Sequence, residues 1–137
     1  MKQLFHREQG EQRLVDIPQL KHLEIIEPIY QQWLAEKRSL EQDDVVGAHW
    51  IKTCTGGYIT EVHFHCDGTL DEYRLFDRFV TRGRWSLSHG LLRIEINKGD
   101  NTYCFHVVGN KSINIHSAIE YKNDELHSYL KLAEIKP

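Results

Sequence analysis

The chain has no excess of basic residues: 17 Lys and Arg stand against 20 Asp and Glu, a formal net charge of −3 over 137 residues. A nucleic-acid interface or an anionic membrane surface needs a positive footprint, so neither is an expected partner. Long apolar runs are missing as well. Nothing reaches bilayer-spanning length, the first 23 residues hold no apolar run of signal-peptide length, and the expected location is cytoplasmic. Cysteine is scarce and odd in number. Cys54, Cys66 and Cys104 lack a short disulfide-type spacing and read as free thiols of a reducing compartment, where the Asn110-Lys111-Ser112 sequon is a chance match. No motif names a reaction, so no cofactor is expected and a non-catalytic role leads.

What is present is a globular composition, 40% hydrophobic and 27% charged, at a length that suits one domain with a real core. Residues 1 to about 17 read as a loosely held arm with at most one helical turn. From Pro18 to about Leu40, residues Leu20, Leu23, Ile26, Ile29, Tyr30, Trp33 and Leu34 recur at three- and four-residue steps, the period of an amphipathic helix. Pro28 lacks an amide donor and fits the start of a second helix better than the middle of one. Residues 1–44 are thus expected to form a helical segment with one or two helices, and Glu41, Asp43 and Asp44 a solvated link. Tyr30 and Trp33 read as the face that packs on a sheet.

From Val45 onward β-branched and aromatic residues take over, and residues 45–137 are expected to be all strand and turn. Between Trp85 and Val107 the alternation is nearly unbroken. Trp85, Leu87, Leu92, Ile94, Ile96, Tyr103, Phe105 and Val107 fall on one face, with Arg84, Ser86, Arg93, Glu95 and His106 on the other. A two-residue loop at His89-Gly90 pairs Leu87 with Leu92 and Trp85 with Ile94; a loop at 98–101 pairs Ile96 with Tyr103 and Ile94 with Phe105. A two-residue loop at Asp67-Gly68 is expected to set Val62 opposite Tyr73, Glu61 opposite Arg74 and His63 opposite Glu72. Opposed charges across strands help by roughly 0.2 to 1 kcal/mol, which supports that register. A loop at 109–111 is expected to pair Val107 with Ile113 and Phe105 with Ile115. A last loop at 122–125 places Leu126 opposite Tyr121, Leu130 opposite Ser117 and Glu120 opposite His127.

The outcome is eight strands, at about 45–53, 58–66, 69–76, 79–88, 91–97, 102–108, 112–121 and 125–135. A meander of this size leaves two exposed edges unless it closes. The expected fold is mainly β: an eight-stranded antiparallel up-and-down barrel preceded by one or two N-terminal α-helices, which plug one end or pack outside.

Phe64 to Leu70 (FHCDGTL), Gly83-Arg84-Trp85 and Gly90-Leu91-Leu92-Arg93-Ile94 give the chain a rhythm that resembles the lipocalin-like (calycin) β-barrel superfamily, over about residues 45–135. The resemblance implies an up-and-down barrel that commonly holds an apolar small molecule inside. On the residues themselves, the alternation sends Thr60, Tyr73, Tyr103, Ser117 and Ser128 inward among Phe64, Trp85, Phe105 and Leu130. These are an expected ligand-binding set of Thr60, Phe64, Tyr73, Trp85, Tyr103, Phe105, Ser117 and Ser128 if the barrel is hollow, and ordinary core if it is filled. His63 and His65, two residues apart, with Glu72 opposite, are a weaker divalent-metal alternative, set against a solvated outer face. Cys104 and His106 share a face next to His116, a thiol-and-base pattern set against an ordinary strand. The leading expectation is non-catalytic binding of a small apolar molecule inside the barrel. The alternatives are an interaction module with a filled core, including a homodimer, and an enzyme acting on a barrel-bound ligand.

Overall fold

From His49 onward the alternating residues form strands almost without interruption. The computed structural model describes residues 1–10, 12–76 and 78–136. In chain order the elements are α1 (Lys2–Glu8), a 3₁₀ helix (Ile17–His22), α2 (Glu27–Ala35), the two-residue β1 (Lys37–Arg38), α3 (Gln42–Val46), β2 (His49–Cys54), β3 (Ile59–Phe64), β4 (Thr69–Arg74), β5 (Val80–Ser88), β6 (Leu91–Lys98), β7 (Asn101–Asn110), β8 (Ile115–Lys122) and β9 (Glu125–Ile135). Each strand from β2 to β9 pairs antiparallel with the next, and β9 pairs back onto β2 from His49↔Ile135 to Cys54↔Leu130. The meander therefore closes into an eight-stranded barrel, which leaves no free edge among these strands. β1 adds a short rung to β7, Lys37 opposite Asn110. No helix among the described residues is long and apolar enough to cross a membrane.

Two hairpins follow the expected register. His89 and Gly90 both take positive φ, as a type I′ turn requires, and Trp85 meets Ile94. Ile96 meets Tyr103 across the next turn. Three junctions differ. After β3 the chain spends three residues rather than two on the turn: the His65 amide bonds to the Thr69 carbonyl, Gly68 sits at φ +90, and Phe64 pairs with Leu70. Val62 is consequently opposite Glu72, and the slip of one turns β4 over, sending Glu72 inward and Tyr73 outward. Between β7 and β8 the loop is longer than expected, and Val107 meets Ala118 and Phe105 meets Glu120 instead of Ile113 and Ile115. His116, Ala118 and Glu120 thus face inward, and Ser117, Ile119 and Tyr121 outward. Between β8 and β9, Tyr121 meets Leu126 as expected, but a bulge at His127 brings Ser128 opposite Glu120 and Leu130 opposite Ala118.

The N-terminal region also departs from expectation. Residues 42–46 form α3 rather than the start of a strand, and the Glu41 amide donates to the Asp44 carboxylate at its first turn. α3 stoppers one end of the barrel, where Leu40 and Val45 join the interior cluster of Trp50, Phe64, Leu70, Ile94, Phe105 and Leu132. The expected loose arm is helix α1, with Leu4, Phe5 and His6 buried. α2 starts at Glu27, one residue before the expected Pro28, which sits in its first turn. Both helices pack outside, where Leu4, Phe5, Tyr30 and Trp33 cover Val108, Ile119 and Tyr129. Glu8 fastens them: it accepts from the Tyr129 hydroxyl (2.5 Å) and the Trp33 indole (3.1 Å) and lies 3.3 Å from Lys37 Nζ.

Candidate functional site

The interior is divided along its length. At the stoppered end and through the middle it is filled: Trp50, Leu92, Ile94, Ile96, Phe105 and Leu132 are all but fully buried. Trp50 and Phe64 meet edge to face, as do Phe64 and Trp85, and Trp85 Nε1 donates to the His65 carbonyl. Gly83 belongs to this region because a Cβ there would lie 2.1 Å from the Glu95 carbonyl oxygen, so only glycine lets β5 approach β6 so closely. Below, His116 accepts from the Asn110 amide at Nδ1, which leaves the proton on Nε2 to be donated to Glu134 (2.9 Å); Arg38 bridges Glu134 and Asp44. Burial outweighs the Glu134 carboxylate and lowers the His116 pKa, keeping that ring neutral.

The other end is open and charged. Lys52 from β2, Thr60 from β3, Glu72 from β4, Thr81 from β5, Lys98 from β6, and Glu120 and Ser128 from β8 and β9 all point inward there. Lys52 Nζ lies 2.5 Å from Glu72 and 4.0 Å from Glu120, and Lys98 Nζ 3.1 Å from Glu72. Thr60 and Thr81 hydroxyls donate to Glu72 at 2.7 and 3.1 Å, and Ser128 to Glu120 at 3.1 Å. Burial alone would push the Glu72 carboxyl up. The Lys52 charge and hydrogen bond, with Lys98 and Thr60, more than reverse this and hold it at about 2.

Above this cluster lies a cavity of about 540 Å³ walled by Lys52, Tyr58, Tyr103, Glu120, Ser128 and Leu130 among others. Two further hollows, of about 430 and 340 Å³, open beside it toward Phe79 and Phe76. Thr60 and Lys98 line all three, which makes them compartments of one mouth. Its size falls in the range that holds small molecules. Glu72 has its oxygens taken by four partners, and so serves to set the two lysines. Lys98 Nζ, partly exposed, and Glu120 Oε2, whose one partner among the described residues is Lys52 at 4.0 Å, face the cavity with bonding capacity left.

Of the expected ligand residues, Thr60, Tyr103 and Ser128 stand at this mouth. Phe105 is buried in the filled interior, with Lys52 Nζ 5.4 Å from its ring centroid. Phe64 and Trp85 are packed into the filled half. Tyr73 is on the outer face because of the three-residue turn, and Ser117 is outside because of the longer β7–β8 loop, hydrogen-bonded by the Tyr129 hydroxyl. The set His63, His65 and Glu72 is not brought together: Glu72 is inside the barrel, and His65 pairs with Asp71 on the outside. Cys104 and His106 line an outer hollow beside α1, whereas His116 is inside. Burial pushes the Cys104 thiol pKa up, away from a reactive thiolate. Sequence reasoning missed Lys52, Glu72 as an inward group, Lys98 and Glu120. The apolar alternation assigned the interior to hydrophobic residues, and charged residues on the dry face were the only signal available.

Fold and site together define a closed eight-stranded antiparallel β-barrel, consistent with a calycin-like form, with a charged mouth. No protein-family model, curated protein or solved structure matches the chain.

Proposed function

We propose that this protein is a lipocalin-like, non-catalytic binder that holds one small amphipathic molecule in the mouth of the barrel, not a wholly apolar one in its depth. The observation that carries this is the single mouth built over the Lys52–Glu72–Lys98 cluster, with Glu120 and Lys98 facing it. An apolar or aromatic body would lie on Tyr58, Tyr103 and Leu130, and a polar head would meet Lys98, Lys52 and Glu120. The filled half beneath argues against a deep apolar ligand, because the side chains there already occupy the space. Exposed Phe76 and Phe79 at the rim offer apolar surface along the way in.

A fluorescent probe of matching chemistry, anilinonaphthalene sulfonate, tests the reading with its aromatic body and anionic head. Saturable binding at one probe per chain is expected, weakened about tenfold, or about 1.4 kcal/mol, in both Lys98→Met and Tyr103→Ala. Binding that ignores both substitutions, or the absence of saturable binding, would overturn it.

A further inference from the structure

We propose that His49, Glu61 and His63 form a binding site for a divalent transition metal, Zn²⁺ being the best fit, on the outer face of the barrel. The site lies on the opposite side of the β2–β3 wall from the interior and does not depend on the mouth.

The placement follows from register. Trp50 pairs with Val62 and Ile51 with Glu61, so one step further along the hairpin His49 lies alongside His63. Side chains alternate with a period of two, and these three share the outer face. The two imidazole rings meet edge to face with centroids 5.3 Å apart. Glu61 Oε1 lies between them, 2.8 Å from His63 Nε2 and 3.9 Å from His49 Nδ1, and one ligand atom from each residue falls within 4.8 Å of the others. Ligand atoms bound tetrahedrally to one zinc at its usual bond lengths are about 3.4 Å apart, a value these two separations bracket. Small rotations of exposed side chains suffice to close the set.

The carboxylate is already aimed. Arg78 Nη1 donates to Glu61 Oε2 at 2.8 Å while its guanidinium lies over the Tyr73 ring, so the other oxygen is turned to the histidines. An outer partner of this kind is what orients a ligating carboxylate. Two imidazoles and one carboxylate select zinc, copper or nickel over the harder calcium and magnesium, and three protein ligands leave a position for water. A mere ion pair between His63 and Glu61 would give His49 no part and would be indifferent to metal.

Isothermal titration of the chelator-treated full chain, prepared without a histidine tag, with ZnCl₂ alone tests the site. One Zn²⁺ per chain is expected, with affinity at least about tenfold lower in His49→Ala and in His63→Ala and unchanged in His65→Ala. His49 and His63 lie on the surface, and a circular dichroism spectrum identical to that of the parent protein shows that each variant is folded. No binding, binding that survives both substitutions, or equal loss in His65→Ala would overturn the proposal.

Discussion

A carboxylate sealed in the wall of a barrel is costly unless cations accompany it, and Glu72 has two. Lys52 and Lys98 hold its folded pKa at about 2, below the ordinary 4.5. Because the folded value is the lower one, the stability that Glu72 contributes is fully present above about pH 4.5. It is lost as pH falls through about 2, and amounts to on the order of 3 kcal/mol. Asp44 is held at about 2 as well, where Arg38 and the Glu41 amide overcome the effect of burial, so the two carboxylates share one acid window. Denaturant midpoints measured from about pH 6 to about pH 2 should therefore fall. Glu72→Gln should flatten that fall and cost roughly 3 kcal/mol at pH 6, since it leaves Lys52 with Glu120 alone at 4.0 Å. An unchanged pH profile in that variant would show that the ion pair does not hold this corner.

At the level of elements, the outer helices and the barrel are joined through a small aromatic cluster. Phe5 meets Tyr30 and Trp33 edge to face at 5.1 and 5.6 Å, on the side of the barrel away from the interior. Phe5→Ala is expected to cost about 3 kcal/mol of local stability, releasing α1 and α2 from β8 and β9 while the barrel stays closed. Hydrogen exchange checks this: amides of α2 should lose protection and those of β3 to β6 keep it, whereas uniform loss would show one cooperative unit. The same outer packing explains which strands were legible in the sequence. β5 and β6 have one largely wet face, and Trp85, Ile94 and Ile96 announced their inward direction. β8 has apolar residues on both sides, Ile119 and Tyr121 under the helices and Ala118 within, so alternation alone could not orient it. The Asp67-Gly68 pair was legible as a turn, but glycine at positive φ serves two-residue and three-residue hairpins alike. The pairing of His63 with Glu72 looked favourable on charge, yet one added turn residue placed Glu72 inside, and with it the candidate site.

Across the whole molecule, the interior separates support from recognition. Ile94 and Lys98 share one face of β6 with Ile96 between them, yet one is in the packed half and the other at the mouth. Ile94→Ala should lower unfolding stability by about 3 kcal/mol through the cavity it leaves. Lys98→Ala should cost less than about 1 kcal/mol, since Lys98 is partly exposed and Glu72 keeps its other partners. Urea unfolding of the two variants compares them directly, and equal costs would mean that the mouth is part of the scaffold. With α3 closing the far end, the barrel is a cul-de-sac: an occupant enters and leaves by the same door. Residues that frame this door without holding the occupant, Gly56, Gly57, Leu75 and Phe76, would then set arrival and departure together, so that changes in them alter how long an exchange takes while the balance between bound and free stays the same.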